Sequence, residues 1–286
     1  MNDLELLNEF LRHLRVERGL SENTWKTYNY HLNGFFAFLN QKNKNFSSAT
    51  RNDILDYLEY KKNSGLKSAS MFGIAISIRL FYRFLASFNY ISEEPTKNMR
   101  LPKFTQKIPE PLSHSDMEKL LNMPLKNKFT DVRNKAMLEL MYSTGIRISE
   151  LLSLKPEQIN YEEGYIKVLG KGNKERYVPL NNRAKEAINR YMEQRNQRFS
   201  LTDTYLFFLN SQGKRLTRGG FWWELKKMAI KAGISREVRP HMLRHTAATH
   251  LLAKGVDFRV LQELLGHASV VTTQRYVKVN LLLKNH

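Results

Sequence analysis

The sequence predicts a mainly helical protein of two domains, with one small β-hairpin or sheet in the second. Three observations carry this expectation. Apolar residues recur at three- and four-residue spacing through the first hundred positions. Three prolines fall within residues 101–111. Two β-prone runs flank a glycine-rich pentapeptide near residue 170.

Taken in order, Leu4, Leu7, Leu11 and Leu14 form one stripe, and Gly19 supplies a stop. Ser21 is placed to cap a second helix, striped by Trp25, Tyr28, Leu32, Phe35, Phe36 and Leu39. Thr50 opens a third helix with Ile54 and Leu58 inward. Ser68 opens a fourth carrying Ile74, Ile78, Phe81 and Leu85. Four helices with short connections predict a small bundle over residues 1–100, its aromatic residues serving as core. The proline-containing segment 101–111 is the expected linker, because proline biases itself and its predecessor away from helix. Residues 112–286 form the expected second domain, opened by the capping-box spacing Ser115-x-x-Glu118. Within it, a helix through Met137, Leu138 and Met141 stops near Gly145, and another carries Ile148, Leu151 and Leu152. Strands Tyr165–Leu169 and Arg176–Leu180 flank the turn Gly170-Lys171-Gly172-Asn173-Lys174. Thr217, Pro240 and Asp257 mark later helix starts.

Composition narrows the partner. The 286 residues hold 46 Lys and Arg against 27 Asp and Glu, a formal charge of +19. Such an excess favours a polyanion, above all nucleic acid, whose condensed counterions are released when phosphates are neutralised. Residues 1–110 carry 16 basic and 11 acidic side chains, and residues 111–286 carry 30 and 16. The surplus is therefore spread along the second domain rather than packed into one juxtamembrane block. No apolar run approaches the roughly 18 residues that read as a membrane span, so no membrane partner is expected. The opening Met1-Asn2-Asp3-Leu4-Glu5 lacks a secretory pattern. With no cysteine there are no disulfides or thiolate metal sites. A cytoplasmic protein is the expectation.

Chemistry-bearing residues are sparse, and each has an ordinary reading beside the functional one. His241-x-x-Arg244-His245 follows Pro240, which aligns His241 with His245 one helical turn away. Such a pair invites zinc. However, the glutamate of the zinc-protease pattern is missing, an arginine lies alongside, and His250 or His267 as third ligand would be a guess; no metal is expected. Arg147, just past Gly145 and near Glu150, is compatible with a surface ion pair. Lys171 on its turn is compatible with a solvated lysine, and His267 with a helix-end residue. Tyr276 is one of 13 tyrosines.

As an ordered set they are far more specific. The segments Thr144-Gly145-Ile146-Arg147-Ile148-Ser149-Glu150-Leu151-Leu152, Gly170-Lys171-Gly172-Asn173-Lys174-Glu175-Arg176-Tyr177-Val178-Pro179-Leu180, His241-Met242-Leu243-Arg244-His245 onward, and Leu264-Leu265-Gly266-His267 through Tyr276 resemble the signatures of tyrosine site-specific recombinases. The likeness is nearest to the Xer-type members that resolve chromosome dimers, and it covers essentially the whole chain. It implies a helical core-binding domain, then a catalytic domain, the two clamping DNA. It implies that Arg147 and Arg244 grip the scissile phosphate and that Glu150 supports the first arginine. Lys171 would protonate the leaving 5′ oxygen. His241 and His267 would divide proton movement and phosphate hydrogen bonding, and Tyr276 would be the nucleophile. His245 is implied to pack rather than react. No cofactor, metal or nucleotide is implied. The implied partners are double-stranded DNA with an inverted-repeat site, a homotetramer or a heterotetramer with a similar recombinase, and a DNA translocase motor. The same chemistry also serves integrases of mobile elements, which are the alternative. Relatives commonly carry a longer tail that docks in a neighbouring subunit, whereas here residues 277–286 end in the short apolar patch Leu281–Leu283.

Physical chemistry makes these residue types coherent. A phenol ionises near pH 10, so attack at neutral pH needs a positive field or a base. Two guanidiniums, planar and always charged, can stabilise the charge that builds on nonbridging phosphate oxygens. The leaving alkoxide needs a proton donor, which Lys171, in the company of Lys174 and Arg176, is expected to be. Attack yields another phosphodiester, so rejoining needs no nucleotide, and the chain carries no P-loop.

Overall fold

A computed structural model describes residues 1–18, 20–100, 110–124, 126–170, 175–199 and 205–266. The chain divides into two compact units, Met1–Ile108 and Pro109–His286. The expected linker, apart from Glu110 and Pro111, lies outside the described residues.

The first unit contains four helices, α1 (Asp3–Val16), α2 (Glu22–Gln41), α3 (Arg51–Asn63) and α4 (Ser68–Ser87). A capping box starts α1: the Glu5 amide donates to Asn2 Oδ1 and the Asn2 amide to Glu5, each at 2.9 Å. Its buried face is Leu6, Leu7, Phe10 and Leu14, rotated from the expected leucine stripe so that Leu4 is exposed. Phe10 is the cause. Its ring meets Phe81 edge-on at 5.3 Å and Phe84 at 5.4 Å, both on α4. Ser21 stands at the N-cap of α2 as expected, but its hydroxyl pairs with Thr24 Oγ1 instead of capping the backbone. Leu32, Phe35 and Leu39 are its buried stripe.

Helix α4 is long and apolar enough to cross a membrane by length and composition, which the sequence reading did not register. Within the unit it is a core helix, burying Ile74, Ile78, Phe81 and Leu85 against α1, α2 and α3. Thr50 and Asp53 form the capping box of α3. Lys44 donates to both Asp53 oxygens at 2.8 and 2.7 Å, and the Thr50 hydroxyl donates at 2.7 Å.

The first helix of the second unit is capped by Ser113, not Ser115. The Ser113 hydroxyl accepts from the Asp116 amide at 3.0 Å and opens α5 (His114–Leu121), leaving Ser115 inside the helix. An equivalent spacing two residues earlier wins because Leu112 must reach the core. Helix α6 (Phe129–Thr144) is the spine, buried on nearly every side and packed on α8 (Asn182–Arg198) and α10 (Pro240–Ala253). It ends on Gly145, whose φ of 60° is the left-handed conformation expected of such a stop. Then come α7 (Ile148–Leu152) and an antiparallel sheet of β1 (Ile159–Asn160), β2 (Tyr165–Leu169) and β3 (Glu175–Pro179), in that order. The hairpin is the expected one, with β3 starting one residue earlier and Tyr165 opposite Pro179. Ile166, Val168, Arg176 and Val178 share its buried face. Thr217 caps α9 (Arg218–Lys231), Pro240 opens α10 and Asp257 caps α11 (Phe258–Leu265), all as expected.

Buried polar groups fix the spacing of these helices. Arg195 on α8 is fully buried, and its guanidinium donates to the Phe207 and Leu206 carbonyls at 3.1 and 3.0 Å. At the entrance to the unit, the Leu112 amide donates to Thr246 Oγ1 at 2.9 Å, and its carbonyl lies 3.0 Å from His250 Nε2. Both partners are on α10, so the entering chain is strapped to that helix.

Two outcomes test this account. Burial would raise the Asp53 carboxyl, but the bonds from Lys44 and Thr50 outweigh it and lower it to about 2. Its contribution is therefore fully present above the ordinary value of about 4 and lost as pH falls through about 2. Asp53→Asn is expected to remove that part of the acid-unfolding curve and to cost about 2 kcal/mol at neutral pH by urea melts. Gly145→Ala forces a side chain into the left-handed region, and its Cβ would stand 2.6 Å from Leu265 Cδ2. A loss of about 1–2 kcal/mol is expected in the same assay.

Candidate active site

Three helix ends and one strand meet in the second unit. The C-terminus of α6, the start of α7, the C-terminus of α11 and the inward face of β3, with α10 alongside, bring Arg147, Glu150, Arg176 and Arg244 together. Arg147 is the N-cap of α7, and Glu150, three residues on, folds back beneath it.

Glu150 is the hub. Its side chain is 8% exposed and accepts four hydrogen bonds. Arg176 forks both carboxylate oxygens at 3.0 and 2.8 Å. The Arg147 side chain donates to Oε1 at 2.9 Å, and the Arg147 amide to Oε2 at 2.8 Å. Burial alone would raise this carboxyl. The Arg176 fork and the Arg147 bonds reverse that and hold it below the usual carboxylate range. A charged carboxylate at this depth is sustainable because every oxygen is met by a cationic or backbone donor.

Arg244 is placed differently. Its Nη1 donates to the Gly145 carbonyl and its Nη2 to the Leu265 carbonyl, each at 2.6 Å. These carbonyls close α6 and α11, so one guanidinium spans the negative ends of two helix dipoles. Burial, then the neighbouring Arg147 cation, lowers Arg244 to about 10, with Glu150 opposing and Arg176 adding to the fall. It remains a cation at neutral pH. Three guanidiniums against one carboxylate leave the cluster with surplus positive charge. Arg147 is the accessible member, with 38% of its side chain exposed and Nη1 alone of its guanidinium bonded among the described residues. The site can therefore bind an oxyanion at the accessible Arg147, with the Arg244 cation close by.

Of the residues singled out in the sequence, the structure brings together Arg147, Glu150 and Arg244. His241 lies in the first turn of α10, three residues before Arg244, with its side chain exposed. Lys171, His267 and Tyr276 lie outside the described residues. Gly266, the residue before His267, closes α11 in the left-handed conformation, and a Cβ there would sit 3.1 Å from Arg176 Nη1.

Arg176 has a partner that the sequence reading did not give it. It was expected beside Lys171, lending positive field to the hairpin turn. Lys171 lies outside the described residues, and Arg176 itself is 7% exposed and committed to Glu150 and to the Leu264 carbonyl, which its Nε meets at 2.8 Å. The signal was present in strand alternation: Arg176 shares the inward face with Val178. His250, considered as a third metal ligand, has both ring nitrogens engaged, Nδ1 with the Tyr142 hydroxyl at 2.9 Å and Nε2 with the Leu112 carbonyl. Among the described residues no group of three or more His, Asp or Glu side chains is arranged to hold a metal ion.

Comparisons with known proteins identify the family. Residues 110–281 match the Phage integrase family, and residues 7–88 match the Phage integrase N-terminal SAM-like domain. Tyrosine recombinase XerD of Oceanobacillus iheyensis is 39% identical over 277 residues, covering 96% of this chain and 93% of its own length. Tyrosine recombinase XerD of Listeria innocua is 38% identical over 286 residues, covering 99% and 96%. Among solved structures, XerA recombinase aligns at 29% identity with a TM-score of 0.52, over 95% of this chain and 93% of its own. The XerH site-specific recombinase, bound to a palindromic difH substrate after cleavage, shares the fold with a TM-score of 0.72 at 23% identity, over 96% and 83%. The chain therefore belongs to the phage integrase family, and within it to the Xer-type tyrosine recombinases.

Proposed function

We propose that the chain breaks and rejoins double-stranded DNA at a specific inverted-repeat site through a 3′-phosphotyrosine on Tyr276, resolving chromosome dimers. The observation that carries the reading is that Arg147 and Arg244 lie within electrostatic reach of each other and of the buried Glu150. A phosphodiester offers two nonbridging oxygens to such a pair. The Xer relatives favour chromosome-dimer resolution over integration of a mobile element.

In this reaction the Tyr276 oxygen attacks the scissile phosphorus as its proton is taken up, with His241 or His267 assisting. The bond from phosphorus to the 5′ oxygen breaks, and Lys171 protonates the leaving oxygen. The covalent product is again a phosphodiester, so a 5′ hydroxyl from the partner duplex can reverse the step without nucleotide hydrolysis. Arg147 and Arg244 hold the nonbridging oxygens and stabilise the charge that grows on them in the transition state. Catalysis then needs no cofactor and no metal. Residues 1–100 serve as the core-binding domain and residues 112–286 as the catalytic domain, joined by 101–111, and the two clamp the duplex. Exchange between duplexes uses four protomers, either identical or shared with a similar recombinase, and a DNA translocase motor activates the assembly. The reaction takes place in the cytoplasm, where the chromosome is.

The test uses a pool of nicked duplexes bearing inverted repeats with randomised arms, from which covalently bound sequences are recovered on denaturing gels. A phenol-linked adduct mapped to Tyr276, undiminished by EDTA, is expected; no adduct from any member of the pool overturns the reading. Tyr276→Phe is expected to abolish the adduct while leaving duplex affinity unchanged in mobility-shift titrations. Arg244→Gln is expected to slow adduct formation by about a hundredfold or more, the loss typical of a group that meets developing negative charge.

A further inference from the structure

We infer that Arg176 is a positioning residue for DNA cleavage, holding Glu150, and through it Arg147, in the orientation that phosphate capture requires. The inference rests on the recombinase reading and adds a residue to it. Arg176 cannot itself meet substrate. Its side chain is 7% exposed, its two terminal nitrogens fork Glu150, and its Nε is bonded to the Leu264 carbonyl.

That three-way arrangement is specific to arginine. A planar guanidinium presents a bidentate edge to a carboxylate while a third N–H points elsewhere, which an ammonium group cannot reproduce. The fork fixes the plane of the Glu150 carboxylate, and the plane decides where its remaining lone pairs point. Those lone pairs receive the Arg147 amide and Arg147 Nη1. Arg147 is thus aimed from behind by a residue 29 positions later in the chain. The bond to Leu264 adds a second constraint. Arg176 and Arg244 hold successive carbonyls, Leu264 and Leu265, at the end of α11. The same helix end therefore fixes the registers of both arginines.

Removal of Arg176 would leave Glu150 buried with less positive charge beside it. Among the described residues, the charged groups around that carboxyl are Arg147, Arg176 and Arg244, and across the adjoining cavity Lys155, Glu157, Lys167, Glu175 and Arg215. Without the fork, burial pushes the carboxyl up, and protonation turns one accepting oxygen into a donor facing Arg147.

Single-turnover cleavage of a nicked duplex recovered as above, with protein in excess, separates positioning from simple loss of folding. Arg176→Lys and Arg176→Gln are expected to lower the rate constant on the order of ten- to a hundredfold, the range typical of residues that orient ligands from behind. Duplex affinity and the fraction of substrate finally cleaved should stay at the unaltered chain's values. Arg176→Gln should also move the acid limb of the rate–pH profile upward, while Arg176→Lys, which keeps the charge, should leave the limb in place and still be slow. In a Glu150→Gln background, Arg176→Gln should add less than it does alone. An unchanged rate constant in Arg176→Lys, or a loss confined to melting temperature and cleaved fraction, overturns the inference while the unaltered chain still forms its adduct. Failure of the unaltered chain to form any adduct overturns the recombinase reading and this inference with it.

Discussion

Glu150 binds two arginines from separate elements to one buried carboxylate. A carboxylate taken out of water is costly unless each oxygen is met by a strong donor, and here four donors meet it from two arginines and a backbone amide. The requirement runs both ways. Two guanidiniums side by side would repel each other across a partly buried space without the anion between them. The carboxylate makes the arrangement tolerable and still leaves the cluster cationic. What remains is a field that attracts an oxyanion but is not neutralised by the protein itself.

The second constraint is the convergence of helix ends. α6 and α11 both terminate in left-handed glycines, which expose their last carbonyls to side chains from elsewhere. Arg244 takes one carbonyl from each, and Arg176 takes the carbonyl before it on α11. The unpaired groups that every helix leaves at its C-terminus thus become the mounting points of the arginines. The strap from Leu112 to Thr246 and His250 holds α10 from the other side, so the helix that carries Arg244 and His241 is fixed at both faces.

The two units answer different physical demands. The first is built on aromatic packing: Phe10, Phe35, Phe46, Phe81 and Tyr82 form a continuous core around α4, crossed by a few interior polar contacts such as His31 with Ser77 and the Tyr82 hydroxyl with the Phe46 carbonyl. The second buries arginines as well as leucines. Arg133, Arg176 and Arg195 each satisfy carbonyls or carboxylates inside it. Buried arginine donors specify distances between elements in a way that interchangeable apolar contacts do not.

The sequence by itself determined most of the fold. Periodicity and capping chemistry are local, so the four-helix front, the Gly145 stop, the hairpin and the starts at Thr217, Pro240 and Asp257 were legible from neighbouring residues. The ordered motifs likewise identified Arg147, Glu150 and Arg244 as one set. Rotation of α1 was not legible, because Phe10 was drawn inward by Phe81 and Phe84, some seventy positions away. Nor was the choice of Ser113 over Ser115, since both spacings satisfy the same local rule. Above all, the fate of Arg176 was decided by tertiary structure. A charged residue on a strand reads as solvated until the fold sets a buried carboxylate from another element against it, and no pattern along the chain encodes that distance.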